Sequence, residues 1–388
     1  MAKVSVVGCA DYSENTVRNS LTEALDQIGG LDWVKSGMKI AIKANLVSFL
    51  KPEKAATTHP ALLCELTRIL TDMGATVIVG DSPGGLYNSA FVGRVYSATG
   101  MHAVEKCGGS LNSDFGSTDA AFPEGKQLKS FTYTSYLDNV DAIINFCKLK
   151  SHGMMGMSCA VKNMFGAIPG TMKPEYHYRF PSHADFADML VDLNEFFTSK
   201  IKLSICDAVL GMEGNGPTAG TPRQIGVILA SKSSYSLDMV AATLIGLTKN
   251  NIPTLEAAYR RGLSPATVEE VEVSDGYEKY ILSDYQNITT HTSLEFKGNG
   301  SSAFSRLFGT VVGKLLRSKP KAVKKECVGC GVCDRICPVK AIKIENGLAV
   351  IDRDKCIRCF CCQEFCPKGA MKVKRTLIAR LFVHNTKK

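Results

Sequence analysis

Nine of the fifteen cysteines fall between Cys327 and Cys366, and eight of them form two runs of one spacing. Cys327, Cys330 and Cys333 are followed by Cys337-Pro338; Cys356, Cys359 and Cys362 are followed by Cys366-Pro367. Each run reads C-x-x-C-x-x-C-x-x-x-C-P, which sets three thiolates on a tight loop and carries the fourth away on the next turn. This is the ligand pattern of two 4Fe-4S clusters, the fourth cysteine of each run serving the other cluster. On that rule Cys327, Cys330, Cys333 and Cys366 hold one cluster, and Cys337, Cys356, Cys359 and Cys362 hold the second.

A disulfide scaffold would need an oxidising compartment, and residues 1–8 offer no long apolar segment or cleavage signal. Zinc needs only two C-x-x-C pairs, so a third cysteine and a C-P in both runs would be superfluous. The repeat also extends beyond the ligands. Ala341, Ile342, Lys343 and Ile344 recur 29 positions later as Ala370, Met371, Lys372 and Val373, the mark of a duplicated half-domain. Residues 321–375 thus resemble the bacterial two-cluster ferredoxins, which implies a small α+β fold. Cys361 stands outside the pattern and reads as a packed or free thiol.

With 388 residues, the chain is too long for this module alone, which leaves room for a large domain over 1–300. Residues 301–320 read as an amphipathic helix and linker, and 376–388 as a basic tail. In the helix, Phe304, Leu307, Phe308, Val311, Val312, Leu315 and Leu316 share one face, which lies on an anionic membrane or, the favoured reading, against the large domain. No stretch reaches the apolar length of a membrane span, so the expected location is cytoplasmic, in an anaerobic or microaerobic host. The other cysteines, Cys9, Cys64, Cys107, Cys147, Cys159 and Cys206, lack metal-site spacing and read mostly as buried, reduced residues.

The net charge of +9 is uneven: from Lys319 onward 17 Lys or Arg face 6 Asp or Glu. Part of that excess offsets the negative charge of thiolate-bound clusters, and the rest suits an acidic redox partner. Nucleic-acid binding is not expected, because no aromatic residues interleave with the basic ones.

The first 250 residues alternate β-branched runs (4–8, 39–44, 76–79, 142–146, 203–206, 225–229) with helical patterns (14–28, from His59-Pro60, 184–197, 237–247). That order predicts an α/β domain with a parallel or mixed sheet and flanking helices. No nucleotide fingerprint is intact: 214–220 has its third glycine one place late, and 309–314 is one place short of a P-loop. After the strand ending at Cys147 comes a polar run, Lys148 to Gly153, then Ser158, Lys162 and Asn163, which predicts a loop gathering a base, cations and backbone donors. Lys148, Lys150 and Lys162 together predict an anionic ligand. The run Tyr176, His177, Tyr178, Arg179, Phe180 reads equally as a stacking surface for an aromatic or flavin-like ligand and as a surface loop.

At Lys43-Ala44-Asn45, Thr58-His59-Pro60, Gly80-Asp81-Ser82-Pro83, 148–152, 158–166, and Asp207 with 211–217, the chain resembles the family called domain of unknown function 362, which implies no established reaction. The pattern His152, Gly156, Ser158, Lys162 with Pro169-Gly170 is also similar to the catalytic segment of nickel-dependent lactate racemase. That likeness implies His152 as acid/base, Lys162 as anchor, and His177 or His183 as metal ligands. Cys159-Ala160 stand where that family has paired glycines.

The first reading is therefore an iron-sulfur oxidoreductase whose clusters relay electrons to a ligand held by Lys43, Asn45, His59, Asp81, Lys148, Ser158 and Asn163, with His152 and Lys162 catalytic. The alternatives are a non-catalytic electron carrier or metal or cofactor assembly protein, and a racemase-like metalloenzyme.

Overall fold

The β-branched runs become strands because amphipathic helices alternate with them and cover both faces of one sheet. The structure, a computed structural model, describes residues 2–288 and 319–374. The amphipathic run within 301–320 and the basic tail lie outside the described residues, apart from Lys319 and Pro320.

Val4–Gly8 (β1) leads into Glu14–Asp26 (α1), and Lys39–Lys43 (β2) into Pro60–Asp72 (α2). Pro60 suits the first helical turn, where an N–H has no partner, and His59 Nδ1 caps the helix by accepting from the Ala61 N–H at 3.2 Å. Thr76–Gly80 (β3), Ser89–Thr99 (α3) and Ser110–Leu111 (β4) complete one side. A small hairpin, Ser117–Ala121 (β5) with Ser130–Thr134 (β6), precedes the central strand Ala142–His152 (β7). Gly156–Ser158 (β8), Ala160–Asn163 (α4), Lys173–Arg179 (α5) and His183–Phe196 (α6) follow. Ile201–Glu213 (β9), Thr221–Ser231 (β10), Ser234–Leu244 (α7) and Pro253–Arg260 (α8) close the body.

The eight-stranded sheet runs β1-β10-β9-β7-β2-β3-β4, with β8 paired to β7. β7 is parallel to β2 and β9, whereas β10 is antiparallel to β9 and β1, so the sheet is mixed. Leu21, Leu62, Leu66 and Val95 pack with Ile42, Ile144 and Phe146 in one core. Ile143 belongs to a second core with Phe186 and Leu190, and Leu229 to a third with Leu237 and Val240. β7 is buried along its whole length, as expected of a strand covered on both faces.

Three expectations change. β7 does not stop at Cys147: the polar run to His152 is its buried end, because each polar side chain finds a partner inside. Lys148 pairs with Asp207 at 2.7 Å, Lys150 donates to Asn45 Oδ1 and the Ala56 carbonyl at 2.7 Å each, and Ser151 donates to the Gly214 carbonyl at 2.8 Å. Residues 176–180 are no loop: Tyr176 and His177 of α5 point inward, His177 stacking on Phe186 at 4.3 Å, while Tyr178 faces out. Cys64 and Cys107, 43 residues apart in sequence, are joined as a disulfide rather than left as separate thiols.

The cysteine-rich module is built of Lys319–Ala322 (β11), Val332–Arg335 (α9), Ile342–Glu345 (β12), Leu348–Ile351 (β13), Cys361–Glu364 (α10) and Met371–Lys374 (β14). β11 pairs with β14 and β12 with β13, both antiparallel. The sequence repeat is also a backbone repeat. Left-handed φ values at Gly329, Gly331 and Lys340 (64°, 74° and 51°) recur at Arg358, Phe360 and Gly369 (61°, 59° and 60°). A side chain in that region costs about 1–2 kcal/mol, yet Phe360 stands where the first half has Gly331. The reason is docking: its ring is 2% exposed and joins the buried cluster containing Met154, Met155 and Phe165 of the α/β body.

Phe360→Ala is therefore expected to weaken docking by about 3–5 kcal/mol. The readout is hydrogen exchange at the Val373 amide, which donates across the interface to Asn215 Oδ1 at 3.1 Å. Exchange should quicken with iron content unchanged; an unaltered rate would show that the ring is not the anchor.

Candidate functional site

β2 and β3 end side by side at Lys43 and Gly80, and the β7-β8 hairpin with α4 folds over that end. Between them lies a cavity of about 70 Å³, lined by Asn45, Asp81, Ser82, Lys150, His152, Ser158, Lys162, Asn163 and Lys173, and by Glu364 and Phe365 of the cysteine-rich module. Six of the nine α/β residues expected from sequence thus meet there: Asn45, Asp81, His152, Ser158, Lys162 and Asn163.

Lys43 stands behind the wall. Its fully buried ammonium is 2.7 Å from Asp81 Oδ1 and donates to the carbonyls of Ala44 (2.8 Å) and Asn163 (3.0 Å). Asp81 Oδ2 accepts from the Leu46 N–H at 2.7 Å, which fixes the carboxylate. Gly166 is required here, because a Cβ at that position would collide with both Asp81 and Lys43. Asn163 is locked in turn: its amide donates to Asn145 Oδ1 (2.7 Å) and the Lys43 carbonyl (3.1 Å), and accepts from Asn45 (2.9 Å). Such a satisfied buried network holds the cavity wall in one arrangement.

Lys148 and His59 belong to a separate, closed cluster. Lys148 donates to Asp207 at 2.7 Å and to the Tyr12 hydroxyl at 2.9 Å, and the Tyr12 and His59 rings stack at 3.6 Å. The His59 N–H donates to Asp207 at 2.9 Å. Neither residue lines the cavity.

The cavity is strongly cationic. Burial and the nearby Lys162 bring Lys150 down to about 7. Burial, opposed by Asp81 and reinforced by Lys43 and Lys162, brings Lys173, which donates to the Ser82 carbonyl, down to about 8. The Lys162 ammonium faces the rings of Phe165 and Phe186, 5.2 and 6.0 Å away, and forms no salt bridge among the described residues.

His152 departs from the expectation of a base poised near neutrality. Burial, then Lys162, pushes it down to about 4. Its Nδ1 accepts from the N–H groups of both Met154 and Met155 at 3.1 Å, so the neutral ring carries its proton on Nε2. Nε2 lies 2.9 Å from Glu364 Oε1, and among the described residues neither atom has a further hydrogen-bond partner. Burial pushes the Glu364 carboxyl up, yet Lys162 and His152 outweigh it and hold the group below the ordinary range. His177 is also buried nearby and pushed down to about 3, while His183 begins α6.

Glu364 and Phe365 sit between Cys362 and Cys366, so this wall of the cavity is part of the second cysteine run. The junction is held by Gln363, which donates to the Gly216 carbonyl at 2.9 Å and to Asn215 Oδ1 at 3.0 Å. The Phe365 ring closes over Gly84, where an added Cβ would meet it at 3.0 Å. Sequence reasoning did not reach Glu364, Phe365 or Lys173: nothing local marks a glutamate between ligands as belonging to a distant sheet.

In the module, one apolar cavity is lined by Cys327, Cys330, Cys333 and Cys366, three thiols of the first run with the last of the second. Cys356, pushed up by burial, also feels Cys359 and Cys337, and Cys362, pushed up likewise, feels Cys359, Cys356, Cys333 and Cys337. Thiols gathered in this way suit the soft, sulfur-rich ligation of iron-sulfur clusters. Cys361 is 1% exposed and hydrogen-bonded to Cys359, which it holds below the ordinary thiol range.

No helix among the described residues is long and apolar enough to cross a membrane. The thylakoid-associated protein sll1697 of Synechocystis sp. (strain ATCC 27184 / PCC 6803 / Kazusa) is 30% identical over 274 residues, 69% of this chain and 81% of that protein. Among solved structures, the lactate racemase apoprotein from Thermoanaerobacterium thermosaccharolyticum aligns with a TM-score of 0.36 at 11% identity, over 61% of this chain and 56% of that one. A family model described as a 4Fe-4S dicluster domain matches residues 319–367, which makes the C-terminal module an iron-sulfur, electron-transfer unit. A second model, described as a domain of unknown function (DUF362), matches residues 40–243, more than half of the chain, and the chain belongs to that family.

Proposed function

We propose that the protein is an iron-sulfur oxidoreductase whose clusters pass electrons to a small anionic ligand held in the cavity between the α/β body and the second cysteine run. The observation that carries this reading is the shared wall: Glu364 and Phe365, between two cluster cysteines, line the same cavity as Lys150, Lys162 and Lys173. Cys327, Cys330, Cys333 and Cys366 would hold one 4Fe-4S cluster, and Cys337, Cys356, Cys359 and Cys362 the other; bound there, each supplies one-electron transfer.

The chain's own residues do the rest. Lys162, which forms no salt bridge among the described residues, takes the anion's charge, and Lys173 and Ser82 line the same cavity. His152 offers a neutral Nε2–H as a hydrogen-bond donor. Lys150, brought to about 7 by burial and Lys162, is the group able to give or take a proton near neutrality. Cys330 is exposed while Cys359 and Cys362 are buried, so the first run's loop is the face open to a redox partner, and its basic surroundings favour an acidic one. A cytoplasmic location is part of this reading.

The test is anaerobic purification followed by native mass spectrometry and dithionite reduction. An organic or inorganic anion should be retained by the wild type and lost from Lys162→Ala, and adding it back should reoxidise the reduced clusters. Retention without ligand-dependent reoxidation would overturn the oxidoreductase reading and leave a carrier or assembly protein.

A further inference from the structure

Three thiols outside the cysteine-rich module converge in the core of the α/β body. Cys147 on β7 and Cys206 on β9 are directly opposed in the parallel register, and Cys159 precedes α4. The Cys147 and Cys159 sulfurs are 3.5 Å apart, those of Cys159 and Cys206 3.4 Å, and all three lie within 4.8 Å of one another. None is more than 1% exposed. They come from three separate elements, so no local spacing produces the cluster; the sheet register and the β8-α4 turn do.

From this convergence we infer that Cys147, Cys159 and Cys206 form a trigonal site for one soft cation, Cu(I). Three sulfurs bonded to one ion at about 2.3 Å stand about 4 Å apart, within the span observed here. A cubane does not fit among sulfurs already in mutual contact. Asp238 hydrogen-bonds the Cys159 thiol, and its two oxygens accept from the N–H groups of Ala160 and Val161 at 2.7 and 3.1 Å. With each Asp238 oxygen already engaged by an N–H, the ligands offered to an ion are the three sulfurs. Structural zinc takes four ligands, whereas soft thiolates with no fourth donor favour Cu(I). Because the site is closed to solvent, the ion loads as the body folds, displacing thiol protons.

The experiment uses full-length protein expressed in copper-supplemented medium and purified anaerobically with its clusters intact. Metal analysis should find about one copper per chain beside the cluster iron, and copper K-edge absorption should show three sulfur neighbours. Cys147→Ala, Cys159→Ala and Cys206→Ala should each lose that copper while retaining wild-type iron and circular dichroism. If a variant fails to fold, the wild-type absorption spectrum still decides: nitrogen or oxygen neighbours, or two sulfurs, overturn the assignment. So do copper retained by folded variants, zinc in its place, and no copper at all.

Discussion

Cys366→Ala is expected to remove the same iron as Cys330→Ala, although the two cysteines belong to different runs. Each single variant should fall from about eight iron atoms per chain to about four. The double variant Cys330→Ala with Cys366→Ala should stay near four, because both changes strike one cluster. By contrast, Cys359→Ala with Cys366→Ala should lose nearly all iron. The physical basis is the cavity that Cys366 lines with Cys327, Cys330 and Cys333, and the chain path that brings it there: α10 ends at Glu364, and Cys366-Pro367 turns back before β14 pairs with β11. Iron and sulfide quantification of anaerobically reconstituted protein decides the matter. The reverse pattern, in which Cys359→Ala with Cys366→Ala keeps half the iron, would mean that each run ligates its own cluster.

How much of this was legible beforehand depends on the range of the interaction. The cysteine runs are local, and so are the strand and helix periodicities; Pro60 after His59 marked a helix start that the structure places at that residue. The mixed character of the sheet was open in sequence and is settled by β10, which returns antiparallel to β9. Polar residues misled most. Lys148, Lys150 and Ser151 read as a loop because isolated cations seldom occupy a central strand, and only the distant Asp207, Asn45 and Gly214 explain their burial. The cavity's other wall was invisible for the same reason. Glu364 and Phe360 follow the spacing rules of a ferredoxin half, and their second role depends on which face of the module meets the body.

Anion binding should be strong below neutrality and fade as pH rises, and it should depend most on Lys162. Without a ligand, burial lowers Lys150 to about 7 and Lys173 to about 8. Unfolded lysines keep their protons to about pH 10.4, so the unfolded chain binds more protons than the folded one above pH 7. These two groups therefore destabilise the empty protein most below pH 7, and that cost is relieved as pH rises toward the unfolded value. A bound anion acts in the opposite sense, favouring the charged lysines and drawing protons in. With inorganic phosphate as the probe, the gain in melting temperature should be large at about pH 6 and small at about pH 9. Calorimetry near pH 8 in buffers of different ionisation enthalpy should show proton uptake on binding. Lys162→Ala, which deletes a charged hydrogen-bond donor worth about 1.5–3 kcal/mol, should weaken phosphate roughly 10- to 100-fold. Ser158→Ala, which removes a neutral hydroxyl from the same wall, should cost no more than about tenfold. Phosphate affinity that is flat with pH, or equal in Lys162→Ala and wild type, would mean that the lysines serve the fold and not a ligand.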